Sequence, residues 1–118
     1  MTEFIPIELP DVEFVTPDGL FIKQMFMAHP GTFVPQHSHK YDHASMLASG
    51  SIRVWCDDVL VGDFTAPKPL HIKSGTKHTF MALEPNTVVY CIHHTRDHGV
   101  EIESEHTHVS DSILSQGV

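Results

Sequence analysis

Turn-forming residues interrupt this chain so regularly that no long helix has room to form before residue 109. Pro17-Asp18-Gly19, Pro30-Gly31, Ser49-Gly50-Ser51, Asp57-Asp58, Ser74-Gly75 and Glu84-Pro85-Asn86 each supply the backbone angles of a turn. Between them lie short runs rich in Val, Ile, Phe, Tyr or Trp: Leu20 to Ala28, Ser51 to Cys56, Thr79 to Leu83 and Thr87 to His93. Partial two-residue alternation in these runs predicts half-buried strands, and their spacing suits an antiparallel sandwich or barrel. With 118 residues the chain has room for one domain. The expected fold class is therefore all-β.

Charge excludes several partners. Seven Lys and Arg against 15 Asp and Glu leave a net charge of −8, which repels a phosphate backbone or an anionic membrane. No apolar run is long enough for a membrane span, and the N-terminus lacks a basic-then-apolar leader. No nucleic acid and no membrane partner are expected, and the expected location is cytoplasmic. Cys56 and Cys91 sit in apolar stretches and read as reduced core thiols. Residues 98–118 turn acidic and polar (Glu101, Glu103, Glu105, Asp111) and read as an irregular or partly helical tail to a domain spanning 1–97. An arm over residues 1–19 carries Phe4, Ile5, Ile7, Leu9, Val12, Phe14 and Val15. Left exposed it would present an apolar strand edge, so a homodimer is expected.

Histidine is the compositional outlier, with 11 in the chain. His37 and His39 stand two apart, which on a strand puts both imidazoles on one face. His43 follows after a bend and opens a strand through Ala48. His78 comes three residues after the turn glycine Gly75 and opens the apolar stretch Thr79-Phe80-Met81-Ala82. Neutral imidazole is the commonest metal-binding side chain, and it suits Zn, Fe, Ni or Cu. The plain alternatives are surface histidines in a loop and a half-buried strand histidine bonded to a backbone carbonyl.

At these residues the chain resembles a small single-domain cupin, the double-stranded β-helix or jelly roll. That family's first motif runs Gly-x5-His-x-His-x3/4-Glu-x6-Gly. Gly31, His37, His39, His43 and Gly50 keep every spacing, with His43 in the place of the usual Glu. In the second motif, Gly-x5-Pro-x-Gly-x2-His-x3-Asn, only Gly75 and His78 match; Pro67, Lys73 and Ala82 depart from it. The resemblance implies a divalent transition metal (Fe, Zn, Mn or Ni) held by His37, His39, His43 and His78. It implies a small-molecule ligand or substrate, with oxygenase chemistry on an anionic or enolisable compound as the first reading. A non-redox isomerase or lyase, or a non-catalytic sensing or structural cupin, are the alternatives.

Replacing Glu by His leaves the metal one unit more positive, which favours an anionic ligand. Candidates for an acid or base are Tyr41, Asp42, His71, Tyr90, His93 and His94, their facing unfixed by sequence. Phe33, Phe80, Met46, Leu47, Trp55 and Ile92 are expected as barrel walls. Arg53 is expected on a solvated face. His93, His94, His98, His106 and His108 are expected in a solvated C-terminal stretch rather than a second metal site.

Overall fold

Alternation along each strand decides which side chains reach the interior, and β9 shows it most cleanly. In Thr87–His94, the residues Thr87, Val89, Cys91 and His93 are buried, and those between them are not. The computed structural model describes residues 7–37, 43–95 and 109–116. Its strands are β1 Asp11–Val15, β2 Leu20–Met27, β3 Phe33–His37, β4 His43–Ser49, β5 Ser51–Cys56, β6 Val59–Thr65, β7 Lys68–Ile72, β8 His78–Ala82 and β9. One sheet has the order β1-β2-β9-β4-β7 and the other β3-β8-β5-β6, with every pairing antiparallel. This is the jelly roll expected for an all-β chain. Strands β6 and β7 lie outside the runs the sequence marked, because Gly62, Asp63 and Pro69 dilute their strand character.

The inner faces meet in one core. Met25, Met27, Leu47, Val89 and Cys91 from the first sheet pack against Val34, Ile52, Val54, Phe80 and Ala82 from the second. Each such large apolar side chain contributes about 1.5–3 kcal/mol by leaving water. Gly50 permits the tight turn between β4 and β5. Its φ is +78°, and a methyl group there would collide with Thr87 Oγ1 and lie 2.9 Å from the Thr87 Cα. Asp57 and Asp58 both have positive φ, 51° and 66°, and close the β5–β6 hairpin in two residues.

Strand β8 is buried on both faces, and the second face belongs to the C-terminal segment. Helix α1, Asp111–Leu114, is capped by the Ser110 side chain, which accepts from Ile113 N. Its fully buried Ile113, together with Val109, packs with Phe33, Trp55 and Met81. Trp55 Nε1 donates to Gln116 Oε1 at 3.1 Å, and Ser110 Oγ donates to Asp58 Oδ1 at 2.9 Å. The partly helical tail is present as expected, and its last turns are docked rather than solvated.

Two of the expected barrel walls therefore serve another layer. Phe33 and Trp55 point out of the barrel into the cluster under α1, while Phe80 and Leu47 do line the interior. Met46 is exposed and Ile92 is half-buried. The reason is pleat parity: alternate residues of one apolar strand serve opposite faces, and here both faces are covered. Among the described residues, no helix is long and apolar enough to cross a membrane.

Candidate functional site

One end of the barrel gathers the chemistry-bearing residues. Strand β3 ends at His37 and β4 begins at His43, with residues 38–42 connecting them, so both strand ends meet there. His39, Tyr41 and Asp42 fall in that connection and lie outside the described residues, as do His98, His106 and His108.

A register shift in β3 positions His37. Val34 pairs with Phe80, and His37, three residues on, pairs with His78, so β3 carries one extra residue around Pro35 and Gln36. Such a bulge tolerates a proline, which would otherwise break the ladder. Without it, odd spacing from Val34 would put the position of His37 on the opposite face. The bulge restores it to the face of Val34, Phe80 and His78. On the other side of His78 stands Cys56 of β5. His37, His78 and Cys56 thus occupy one row across the second sheet.

His78 itself is fully buried. Its Nδ1 lies 3.3 Å from the Thr76 carbonyl oxygen. A carbonyl can only accept, so Nδ1 carries the proton and donates, and Nε2 carries the lone pair. Nε2 is itself shielded from solvent. The ring is tilted 43° against Phe80 at 5.5 Å.

The first sheet supplies the facing row. His43 pairs with Ile72 of β7, and Phe21 of β2 pairs with His93 of β9. The register Ala44↔Ile92 brings the position of His43 beside His93. His93 is buried on the inner face, stacked on Phe21 at 4.8 Å and 22°. This overturns its expected place in a solvated stretch: the expectation followed its polar neighbours, whereas the pleat of β9 decides where it sits. Its Nδ1 donates to the His94 carbonyl oxygen at 2.9 Å. Alternation within Val88 to His93 was the signal that would have found it.

The other acid–base candidates fall elsewhere. His71 and His94 are exposed, and Tyr90 donates its hydroxyl to Gln24 Oε1 at 2.7 Å on the half-buried outer side of β9. Arg53 makes two bonds to Asp63, at 2.7 and 3.0 Å, as a surface pair. That contact holds the Asp63 carboxyl below its ordinary range and the Arg53 guanidinium above its own. Burial, then Asp57, pushes the Cys56 thiol up. Neither cysteine is in a disulfide; Cys91 Sγ lies 3.4 Å from Ser45 Oγ. An open, mostly apolar cleft of about 710 Å³ lies on the outward pleat of the first sheet, where Leu20, Ala44, His71, Ile92 and His94 line it, and His93 also borders it. Among the described residues, no three His, Cys, Asp or Glu are grouped to hold a metal.

Comparison with known proteins gives the fold a context. No protein-family model and no curated protein sequence matches the chain. Solved structures do. KdgF from Halomonas sp. is 17% identical with a TM-score of 0.62, over 74% of this chain and 79% of that one. An RmlC-like cupin with a double-stranded β-helix fold from Methanocaldococcus jannaschii is 11% identical with a TM-score of 0.62, over 72% and 79%. A cupin-2 domain protein from Shewanella frigidimarina is 18% identical with a TM-score of 0.56, over 77% and 84%. These likenesses establish the cupin-type double-stranded β-helix, and no activity follows from them.

Proposed function

We propose that this chain is a metal-binding cupin, with His37, His39, His43 and His78 holding a divalent transition ion (Fe, Zn, Mn or Ni). Its ligand is a small anionic or enolisable molecule, and oxygenase-type chemistry is the first reading. The observation that carries the proposal is the state of His78. A buried imidazole that donates Nδ1–H to a backbone carbonyl is in the tautomer that a metal-binding histidine uses, with the lone pair on Nε2. The register supports it: His37 stands opposite His78, and His43 precedes Ser45 and Leu47, the buried residues of β4, by two and four positions.

An all-imidazole set is neutral, so a bound ion would keep its full charge and supply Lewis acidity, or a place for dioxygen, at the barrel end. The chain's own residues do the rest. Thr76 O fixes the His78 ring and Phe80 walls it. A second reading, a ligand-binding or sensing module without turnover, is favoured by one observation. Of the candidate acids and bases that are described, Tyr90 is bonded to Gln24, His71 and His94 are exposed, and only His93 is on the inner face. A homodimer formed through the exposed edge strand β1, acting in the cytoplasm, completes the proposal.

Elemental analysis of untagged protein tests the metal. About one transition ion per chain, lost in His78→Ala, is expected; equal content in both would overturn the reading. Oxygen uptake with a panel of diketones, thiols and phenols then separates the classes. A redox-active metal with uptake supports the oxygenase. Zinc in a closed four-coordinate shell supports the module without turnover.

A further inference from the structure

We propose that residues 109–116 are a detachable brace on the outer face of the second sheet. They open as one unit while the barrel stays folded, and their opening frees the β5–β6 turn and admits small molecules to the barrel end at Cys56. This holds with or without a bound metal.

The segment has little hold of its own. Helix α1 is four residues long, and helices shorter than about 12 residues are marginal in water without tertiary packing. Its backbone bonds stay within it: Ile113 N and Leu114 N donate to Ser110 O, Ser115 N to Asp111 O and Gln116 N to Ile113 O. Among the described residues, no backbone bond joins it to a strand. Side chains dock it instead. Val109 and Ile113 pack with Phe33, Trp55 and Met81, and Gln116 accepts from Trp55 Nε1. This cluster is separate from the inner core that holds Leu47, Val54 and Phe80. Losing it uncovers one outer face and leaves the sandwich interior filled, which is the pattern of a segment that opens below the global cost.

One hydroxyl connects the brace to the barrel end. Ser110 Oγ accepts from Ile113 N at 3.3 Å, capping α1, and donates to Asp58 Oδ1 at 2.9 Å. Asp57 and Asp58 form the β5–β6 turn. Asp57 N donates to Lys77 O at 2.7 Å, and Lys77 N donates to Asp57 Oδ1 at 3.1 Å. Cys56 and His78 adjoin Asp57 and Lys77 and pair across β5 and β8. The next rung is Trp55 with Thr79, and Trp55 belongs to the cluster under α1. The brace therefore grips the two strands just where they carry Cys56 and His78.

Hydrogen exchange by NMR and iodoacetamide labelling of full-length protein test this. In the parent, the amides of Ile113 to Gln116 should exchange roughly a hundredfold or more faster than that of Ala82, corrected for intrinsic rates and with a weaker dependence on urea. Ala82 N donates to Thr32 O and reports on the barrel. Ile113→Asp puts a charge into the apolar cluster and should hold the brace open. Emission from Trp55, the chain's one tryptophan, then moves to the red while Ala82 stays protected. Cys56 is labelled roughly fivefold or more faster, and buried Cys91 on the other sheet stays unlabelled. Ser110→Ala should speed Cys56 labelling by about twofold, and with the parent it carries the test if Ile113→Asp does not fold.

Equal exchange of the segment and Ala82 in the parent would overturn the proposal, since no separate unit would open. So would labelling of Cys56 and Cys91 at one rate in the variants. An unchanged Cys56 rate with the segment amides unprotected would show that the brace does not close the barrel end, and would overturn it too. Failure of the metal-binding reading shows in metal content alone and leaves each of these results as it stands.

Discussion

His37 and His78 stand directly opposite each other on β3 and β8, an alignment that exists only because β3 carries an extra residue after Val34. Their register is therefore a designed property of the strand pair. His37→Ala would leave the bulge and the register in place and remove the imidazole proposed to bind opposite His78. The expected outcome is a folded protein with at least a hundredfold weaker metal affinity, measured by competition with a chromophoric chelator. Metal retention at parental affinity would refute the proposed ligand set.

Acid should release the metal. Each proposed ligand binds as neutral imidazole, so protons compete with the ion and affinity falls as pH drops below about 6. Replacing His43 by Glu shifts that profile. A carboxylate protonates at lower pH and reduces the charge on the ion, so His43→Glu should hold metal to a more acid pH than the parent. Metal content after dialysis between pH 4 and 8 checks this; superimposable curves would remove His43 from the site.

Gly50 is expected to be intolerant of any side chain. Its φ of +78° already disfavours other residues, and a methyl group would meet the Thr87 side chain and backbone. Gly50→Ala should cost roughly 2–4 kcal/mol, adding backbone strain to overpacking. Gly75, at φ +76° with open space around it, should lose much less on the same change. Urea unfolding of the two variants gives the comparison.

What could be read from the sequence follows from which signals are local. Turn residues and two-residue alternation mark β2, β5, β8 and β9, because those strands bury apolar side chains in a regular pattern. The spacing of Gly31, His37, His39, His43 and Gly50 points to the jelly roll, since each glycine sits at a turn with positive φ. Edge strands β6 and β7 escape notice because they bury little. The role of Trp55 escapes because sequence alone cannot say which face of a doubly covered strand a residue joins. His93 is hidden for a related reason: the residues that follow it in sequence are polar, while its neighbours in space are Phe21 and the barrel interior.

The docked C-terminal segment should contribute to stability well beyond its size. Ile113 is fully buried among Phe33, Trp55 and Met81. Ile113→Ala is expected to cost about 2–4 kcal/mol through lost transfer energy and the cavity left behind. Leu114, 40% exposed on the same helix, should cost under 1 kcal/mol when changed to Ala. Equal losses at the two positions would mean that α1 does not pack as described.

Strand β1 is the proposed dimer contact. All five of its residues are exposed, and Val12 and Phe14 remain 46% and 58% accessible. An open apolar edge of this kind pairs readily with another strand. A second copy would cover it. Val12→Lys should shift the protein from dimer to monomer in light scattering, with its circular dichroism unchanged. A parent that is already monomeric at micromolar concentration would refute the proposed contact.

Cys56 provides a probe of the site end that needs no metal. Burial, with a smaller contribution from Asp57, raises its thiol above the ordinary range. Since only the thiolate reacts, iodoacetamide should label Cys56 in the folded protein more slowly than it labels glutathione at pH 7.5. The rate should climb with pH, and Asp57→Asn, which keeps the turn and removes the charge, should speed labelling by roughly twofold. The unfolded chain ionises this thiol first, so its contribution to stability is fully present below the ordinary thiol range and is lost as pH rises through the higher folded value. Peptide mapping by mass spectrometry resolves Cys56 from buried Cys91. Labelling of Cys56 as fast as glutathione would show that the row of His37, His78 and Cys56 is open to water rather than closed over the barrel end.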